Sequence, residues 1–253
     1  MKKKITIITP TFNSAKTILT NIASVKNQRY KYLEHIIIDN NSDDQTLNLI
    51  KKNTNENIKI ISEKDYGIYD AINKGIKLAE GEIISILHSD DIYYDNHTLL
   101  NVIKEFDEKN MDIVYGDLLY VSKNNLNKVV RYWKSNEFKQ GLFFKGWSPP
   151  HPSFFIKKNI HNKFGYYNIK IGNSADIELM YKFLEVKKVN SKYINKILIK
   201  MRYGGKSNNN IFEIFKQNLQ ILKFLKLKSP LKIMNFIYFK IVDRTLQFVK
   251  KYK

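Results

Sequence analysis

The chain has 253 residues, with 43 Lys and Arg against 24 Asp and Glu, a formal net charge of +19 and an isoelectric point near 9.7. Its 43% hydrophobic and 13% aromatic content supplies one sizeable core and excludes a largely disordered chain. The absence of Cys excludes a disulfide scaffold, thiol catalysis, Cys-ligated zinc and iron–sulfur centres, and fits a reducing cytoplasm.

The start, Met1-Lys2-Lys3-Lys4, has the charge of a signal peptide. The apolar run that follows, Ile5 to Ile8, is too short for one and stops at Pro10, so it reads as a buried first strand. No segment has the length and apolarity of a membrane span.

Strand-like and helical patterns then alternate. Lys4–Thr9 reads as a strand, and Ser14 as the cap of a helix through Gln28 with Ile18, Leu19, Ile22 and Val25 inward. Leu33–Ile38 is the second strand; Ser42 or Asp43 opens a helix through Lys52. Ile58–Ile61, a helix Ile68–Ala79, a strand Glu82–Leu87, a helix Thr98–Lys109 and a strand Asp112–Tyr115 follow. Such alternation predicts a doubly wound parallel sheet, and the run Ile36-Ile37-Ile38 predicts burial on both faces. Beyond Gly116, Asp117–Val121 and Lys128–Trp133 read as a hairpin. An aromatic, Pro-containing stretch comes next, then a helix Ser174–Lys187, two strands Val189–Ile194 and Ile197–Tyr203, and a polar linker 204–210.

Residues 211–253 carry nine Lys and one Arg against two acids, a net +8, with apolar positions at helical spacing. They predict a basic amphipathic pair of helices divided by Pro230, suited to the catalytic domain or to an anionic membrane surface. Only four of the 43 cations are Arg. That weakens sequence-specific nucleic-acid recognition, which leans on bidentate Arg contacts, and no nucleic-acid partner is expected.

Ligands of open α/β sheets bind beyond the carboxyl ends of the strands. Here those ends carry Thr9-Pro10-Thr11-Phe12-Asn13, then Asp39 to Asp44, then His88-Ser89-Asp90-Asp91. Acidic groups gathered at one edge repel unless a cation bridges them, and Mg²⁺ or Mn²⁺ with a nucleotide diphosphate does so. An isolated Asp in such a place is usually a turn or cap residue, which suffices for Asp43 and Asp44; Asp39 together with Asp90-Asp91 asks for more.

With Asp65-Tyr66-Gly67-Ile68-Tyr69-Asp70-Ala71-Ile72-Asn73-Lys74-Gly75 between them, these motifs resemble, in order and spacing, family 2 glycosyltransferases of the GT-A fold. Among these the chain is most similar to bacterial enzymes of O-antigen, capsule and other surface-polysaccharide synthesis. The resemblance spans about residues 4–95 and continues less sharply through Pro150-His151-Pro152 and Ser174 to Met180. It implies a Rossmann-like, mostly parallel sheet flanked by helices, with the C-terminal amphipathic helices appended. The domains would be 1–205 (a nucleotide-sugar half 1–115 and an acceptor half 116–205) and a helical extension 206–253.

The resemblance further implies that Phe12 lies against the base of a UDP-sugar and that Asp39 accepts from the base N–H. Thr9, Pro10, Thr11 and Asn13 would shape that pocket, Asp70 and Asn73 would face the donor, and Asp90 would contact ribose or phosphate. Asp91 would hold Mn²⁺ or Mg²⁺, and Asp176 would be the catalytic base, with Glu178 behind it. Independently, inverting sugar transfer needs one base opposite the departing nucleotide, and Asp176 at a helix start after Gly172-Asn173-Ser174 can project into a cleft. A first-turn acid favoured by the helix dipole is the plainer alternative.

The sequence departs from the family where Ile72 stands in place of a frequent Arg, so phosphate contacts fall to Lys64, Arg202 or Lys206. His151 is a further candidate for phosphate or acceptor, and Trp133 or Trp147 for a sugar-stacking platform. The Gln-x-x-Arg-Trp signature of processive synthases is absent, which argues for addition of a single sugar. The expected reaction moves a hexose from a UDP-sugar to a lipid-linked saccharide, with undecaprenyl diphosphate the expected carrier, at the inner face of the plasma membrane. A nucleotidyltransferase on the same sheet and a basic nucleic-acid-binding protein are the rival functions.

Overall fold

A computed structural model describes residues 3–53, 58–108, 111–204 and 211–249. Strands β1 (Ile5–Thr11), β2 (Leu33–Asp39), β3 (Ile58–Ser62) and β4 (Ile83–Ile86) alternate with helices α1 (Ile18–Lys26), α2 (Thr46–Asn53) and α3 (Ile68–Leu78). Next come β5 (Ile92–Tyr93), α4 (Thr98–Glu108), β6 (Ile113–Ser122), β7 (Asn125–Trp133), β8 (Phe154–Lys157) and α5 (Lys158–Phe164). The chain continues through α6 (Ala175–Tyr181), a π-helical turn Lys182–Val186, β9 (Ser191–Arg202), α7 (Ile211–Phe224) and α8 (Pro230–Val249).

One sheet runs β3-β2-β1-β4-β8-β6-β9-β5, with β7 paired to β6. Its first four strands are parallel, as the alternation predicts. The second half is mixed: β8 is antiparallel to both β4 and β6, and β5 to β9. The sequence reading anticipated neither β8 nor β5, whose short runs lack alternation. It also divided β6 at Gly116 and β9 at Asn195–Lys196. Each is one continuous strand, and the divisions fall where the β6–β9 register slips between Tyr115 and Asp117, a bulge that interrupts the pattern without ending the pairing.

Ile36, Ile37 and Ile38 are all fully buried. Ile36 and Ile38 join the core beneath α3, α6, α7 and α8, while Ile37 packs with Ile18, Ile22 and Ile50 of α1 and α2. Each fully buried Ile contributes about 1.5–3 kcal/mol. Close packing of α3 on the sheet depends on Gly75, since a Cβ there would sit 2.5 Å from Cγ2 of Ile8.

The C-terminal helices are not a separate body. Ile221, Leu225 and Phe236 belong to the same core as β1 and α6. Arg131 of β7 donates from Nε to Oε1 of Gln247 on α8 at 2.7 Å, with its guanidinium over Tyr120 and Phe248.

Candidate active site

The carboxyl ends of β1, β2 and β4 meet at one edge. After β1, Phe12 is 47% exposed, and Asn13 has a left-handed backbone, φ 48°. The Asn13 amide donates to Ser42 Oγ at 2.9 Å, and its side-chain carbonyl accepts from Asp43 N at 3.1 Å. Ser42 in turn donates to Asp39 from both its amide and its hydroxyl, and Ser62 Oγ donates at 2.8 Å. Asp39 is thus held by three donors and has no exposed surface. A base reaches it only if the segment carrying Ser42 shifts. Pro10 and Thr11 are buried beside it, and the Thr11 carbonyl accepts from Asn40 N at 2.9 Å.

Ser14 does not cap α1 as expected. Its hydroxyl bonds Phe12 O and, at 2.8 Å, Ser89 Oγ, tying the β1 loop to the turn after β4. That turn is clamped from below. Asn21 Nδ2 donates to the carbonyls of His88 and Asp91 at 2.9 and 3.1 Å. The Arg202 guanidinium donates to the Asp90 carbonyl and, at 3.0 Å, to Thr20 Oγ1. The clamp leaves Asp90 half-buried and Asp91 fully buried, with no close hydrogen bond to either Asp91 carboxylate oxygen, although the Arg202 backbone amide approaches them. Burial, and then the charge of Asp90, push the Asp91 carboxyl well above the usual carboxylate range, while Arg202 opposes them. An unsatisfied pair of hard oxygen donors is the chemistry a divalent cation meets, so Asp91, with Asp90 beside it, fits the expected metal.

Asp176 lies on the same side, reached by a continuous run of side chains. The His88 ring is 5.9 Å from that of His151, and His151 Nε2 is 2.7 Å from Tyr167 Oη. Tyr167 stacks on Tyr69 at 5.4 Å, and the Tyr69 hydroxyl hydrogen-bonds the Asp176 carboxylate. Burial raises Asp176 to about 6, against the Ile177 amide, the Tyr69 hydroxyl and the charge of Lys240, which lower it. A carboxyl poised there suits a general base. Glu178, two residues on, is also raised by burial.

Several residues expected at the donor are instead part of the scaffold. Thr9 is fully buried, its hydroxyl 2.8 Å from His35 Nε2 beneath the sheet. Both polar atoms of Asn73 bond the Tyr167 backbone, at 2.9 and 3.0 Å. Asp70 accepts from Tyr66 N at 3.0 Å, just ahead of α3, and pairs with Lys74. Arg202, expected at a phosphate, holds the Asp90 turn, and Ile72 is core. His151 is buried and kept neutral, its pKa lowered to about 3 by burial, so it offers phosphate no charge. Trp147 packs against Tyr115, Phe138 and Phe143 at the cleft rim, and Trp133 stacks on Tyr120. Lys206 lies outside the described residues.

The structure adds Tyr69, Tyr167 and Lys240, which the sequence reading did not single out for the site. Tyr69 stood inside the recognised Asp65–Gly75 motif; Tyr167 and Lys240 carried no local signal.

The fold is that of the GT-A class of glycosyltransferases. The sequence profile of glycosyl transferase family 2 matches residues 6–164, and the chain belongs to that family. A PGL/p-HBAD biosynthesis glycosyltransferase of Mycobacterium bovis is 28% identical over 218 residues, covering 84% of this chain and 82% of the relative. An uncharacterized glycosyltransferase of Rickettsia typhi is 27% identical over 81% of this chain and 66% of its own. Among solved structures, S. aureus TarS 1-349 in complex with UDP-GlcNAc is similar with a TM-score of 0.66 at 20% identity, over 93% of this chain and 71% of that one. The mannosyltransferase PcManGT from Pyrobaculum calidifontis, in complex with GDP-Man and Mn²⁺, is similar with a TM-score of 0.65 at 17% identity, over 96% and 70%.

Proposed function

We propose that this glycosyltransferase is an inverting, metal-dependent enzyme. It moves a hexose of the galactose or glucose type, with or without an N-acetyl group, from a UDP-sugar to a hydroxyl of a lipid-linked saccharide in bacterial surface-polysaccharide synthesis. The observation that carries the reading is the wall His88–His151–Tyr167–Tyr69, which joins the Asp90-Asp91 turn to Asp176 along one side of the sheet.

Phe12 lies against the base and Asp39 accepts from its N–H, with Pro10, Thr11 and Asn13 shaping the pocket. Asp91 holds the divalent cation, which when bound stabilises charge on the departing diphosphate. Asp176 takes the proton of the acceptor hydroxyl as that oxygen attacks the anomeric carbon, and the bond from that carbon to UDP breaks with its electron pair leaving on UDP. Attack opposite an α-linked nucleotide gives a β product. Tyr69 holds the Asp176 carboxylate in place.

The acceptor side is framed by α8, whose exposed Leu231, Met234, Tyr238 and Ile241 lie among the Lys residues of a segment with net charge +8. Among the described residues no helix is long and apolar enough to cross a membrane. This face fits an interfacial helix on an anionic bilayer, which would keep the enzyme at the inner face of the plasma membrane, where undecaprenyl-diphosphate acceptors lie.

A panel of UDP- and GDP-sugars with Mn²⁺, scored by thermal shift and donor hydrolysis, tests the reaction. A UDP-sugar should be hydrolysed only with metal, and activity should disappear in Asp176→Asn. Hydrolysis of nucleoside triphosphates in its place would overturn the reading. Sedimentation with anionic but not neutral vesicles tests the membrane part.

A further inference from the structure

The turn that carries Asp91 is held through its backbone by two side chains from elsewhere in the fold. Asn21 of α1 donates from Nδ2 to the His88 carbonyl at 2.9 Å and to the Asp91 carbonyl at 3.1 Å, which uses both hydrogens of its carboxamide. From β9, the Arg202 guanidinium donates to the Asp90 carbonyl and, at 3.0 Å, to the hydroxyl of Thr20, the residue before Asn21. The carbonyls of Asp90 and Asp91 belong to the two peptide planes that flank the Asp91 Cα. Each plane is rigid, so a bond to its carbonyl stops it from swinging. Arg202 holds the plane before Asp91 and Asn21 the plane after it, and together they fix the direction in which the Asp91 side chain leaves the backbone.

Asn21 is a costly residue for its place. It has no exposed surface and stands on the helix face formed by Ile18, Ile22 and Val25, where a carboxamide is unfavourable unless its polar atoms are bonded. Its Oδ1 lies 3.5 Å from the Thr9 hydroxyl, which is in turn 2.8 Å from His35 Nε2. Packing of α1 on the sheet asks for one more apolar side chain at this position; the bonds that Asn21 makes instead go to the Asp91 turn.

We propose that Asn21 and Arg202 are positioning residues of the metal site, a two-sided clamp that aims the Asp91 carboxylate by fixing the peptide planes on either side of it. The proposal rests on the reading of Asp91 as the metal ligand. Neither residue touches the cation; both act through the backbone of the residue that does. Partners of this outer kind are typically worth about 10–100-fold in metal affinity.

The test is titration of the full-length protein with Mn²⁺ alone, free Mn²⁺ being read by electron paramagnetic resonance. Asn21→Leu keeps the bulk and removes both donors, and should raise the Kd for Mn²⁺ about 10–100-fold. UDP-sugar hydrolysis lost in this variant at low Mn²⁺ should return as Mn²⁺ is raised. Arg202→Lys keeps the charge beside Asp91 and loses the planar fork that spans the Asp90 carbonyl and Thr20, so it should raise the Kd about tenfold. It also serves should Asn21→Leu not fold. A helix residue that merely packs would lower Tm and leave the Kd of the folded protein where it was, and an unmoved Kd in either folded variant overturns the proposal. Asp91→Ala separates the two readings. Mn²⁺ binding that is lost in Asp91→Ala but unmoved in Asn21→Leu overturns the clamp alone, whereas binding that survives Asp91→Ala sinks the metal reading and the clamp with it.

Discussion

Removing the Asp91 side chain should stabilise the metal-free protein while abolishing its response to ligand. Both carboxylate oxygens are buried with no close hydrogen bond, the approach of the Arg202 backbone offsets their burial only in part, and the group lies beside Asp90, whose charge opposes its ionisation. A buried polar group left unsatisfied costs about 1–3 kcal/mol. Truncation to Ala recovers that cost and loses the packing of one small group, worth up to about 1 kcal/mol. The net expectation for Asp91→Ala is a gain of about 1–2 kcal/mol, or roughly 2–8 °C in Tm for a chain of this size. The wild type should instead gain about 2.7 kcal/mol when Mn²⁺ and a UDP-sugar are present at a hundred times their Kd. Differential scanning calorimetry in EDTA, then with Mn²⁺ and the nucleotide sugar, should therefore show the two proteins exchange order. If Asp91→Ala melts lower than wild type in EDTA, or rises equally with Mn²⁺ and donor, the orphaned carboxylate is not the metal ligand.

Asp176→Asn should lower kcat about 10²–10⁴-fold with little change in donor KM, as expected for loss of a general base. In the wild type, kcat/KM should fall tenfold per pH unit below about 6. Because the Asp176 pKa is raised on folding, its contribution favours the fold at low pH and is lost as pH rises through 6, so Asp176→Asn should gain on wild type in urea melts at pH 7.5 but not at pH 4. His35, His151 and His161 are lowered by burial to about 3, 3 and 4. Their contribution is present above the ordinary histidine pKa near 6.5 and is lost as pH falls from there toward 4, at up to about 4 kcal/mol per pH unit for three protons; chemical denaturation at stepped pH measures the slope. Gly75→Ala should cost about 1–3 kcal/mol through its clash with Ile8, read as a lower urea midpoint with unchanged m.

The parallel half of the sheet was legible because strands buried on both faces leave runs such as Ile36-Ile37-Ile38, and because polar residues mark each strand's carboxyl end. The mixed half was obscure for physical reasons. β8 gains its stability from neighbours on both sides, β4 and β6, which four residues of sequence do not announce, and the β6–β9 bulge breaks the alternation within two strands that continue past it. At the site, residue types pointed to the right edge, but their division of labour was hidden. Nothing local distinguishes a carboxamide that faces a ligand from Asn73, which closes on a backbone 94 residues away. Lys240 looked like one more cation of a basic helix, because only the tertiary packing of α8 on Gly146 brings it against Phe236 and Asn218.

Asp39 and Asp91 show why burial alone does not assign a role. Both carboxylates sit at the same sheet edge with no exposed surface. Ser42 and Ser62 give Asp39 three donors, so its orientation is fixed by groups that must move before a base can reach it. Asp91 has no close donor of that kind, only the approach of the Arg202 amide, although Asn21, Arg202 and Ser14 fix the turn around it. A rigid turn that withholds donors from its own carboxylate is costly unless a cation supplies the missing interaction. The same turn continues through His88 and His151 to the tyrosines that hold Asp176. Because burial keeps His151 neutral, this wall adds no charge between the two acidic groups; it fixes their separation.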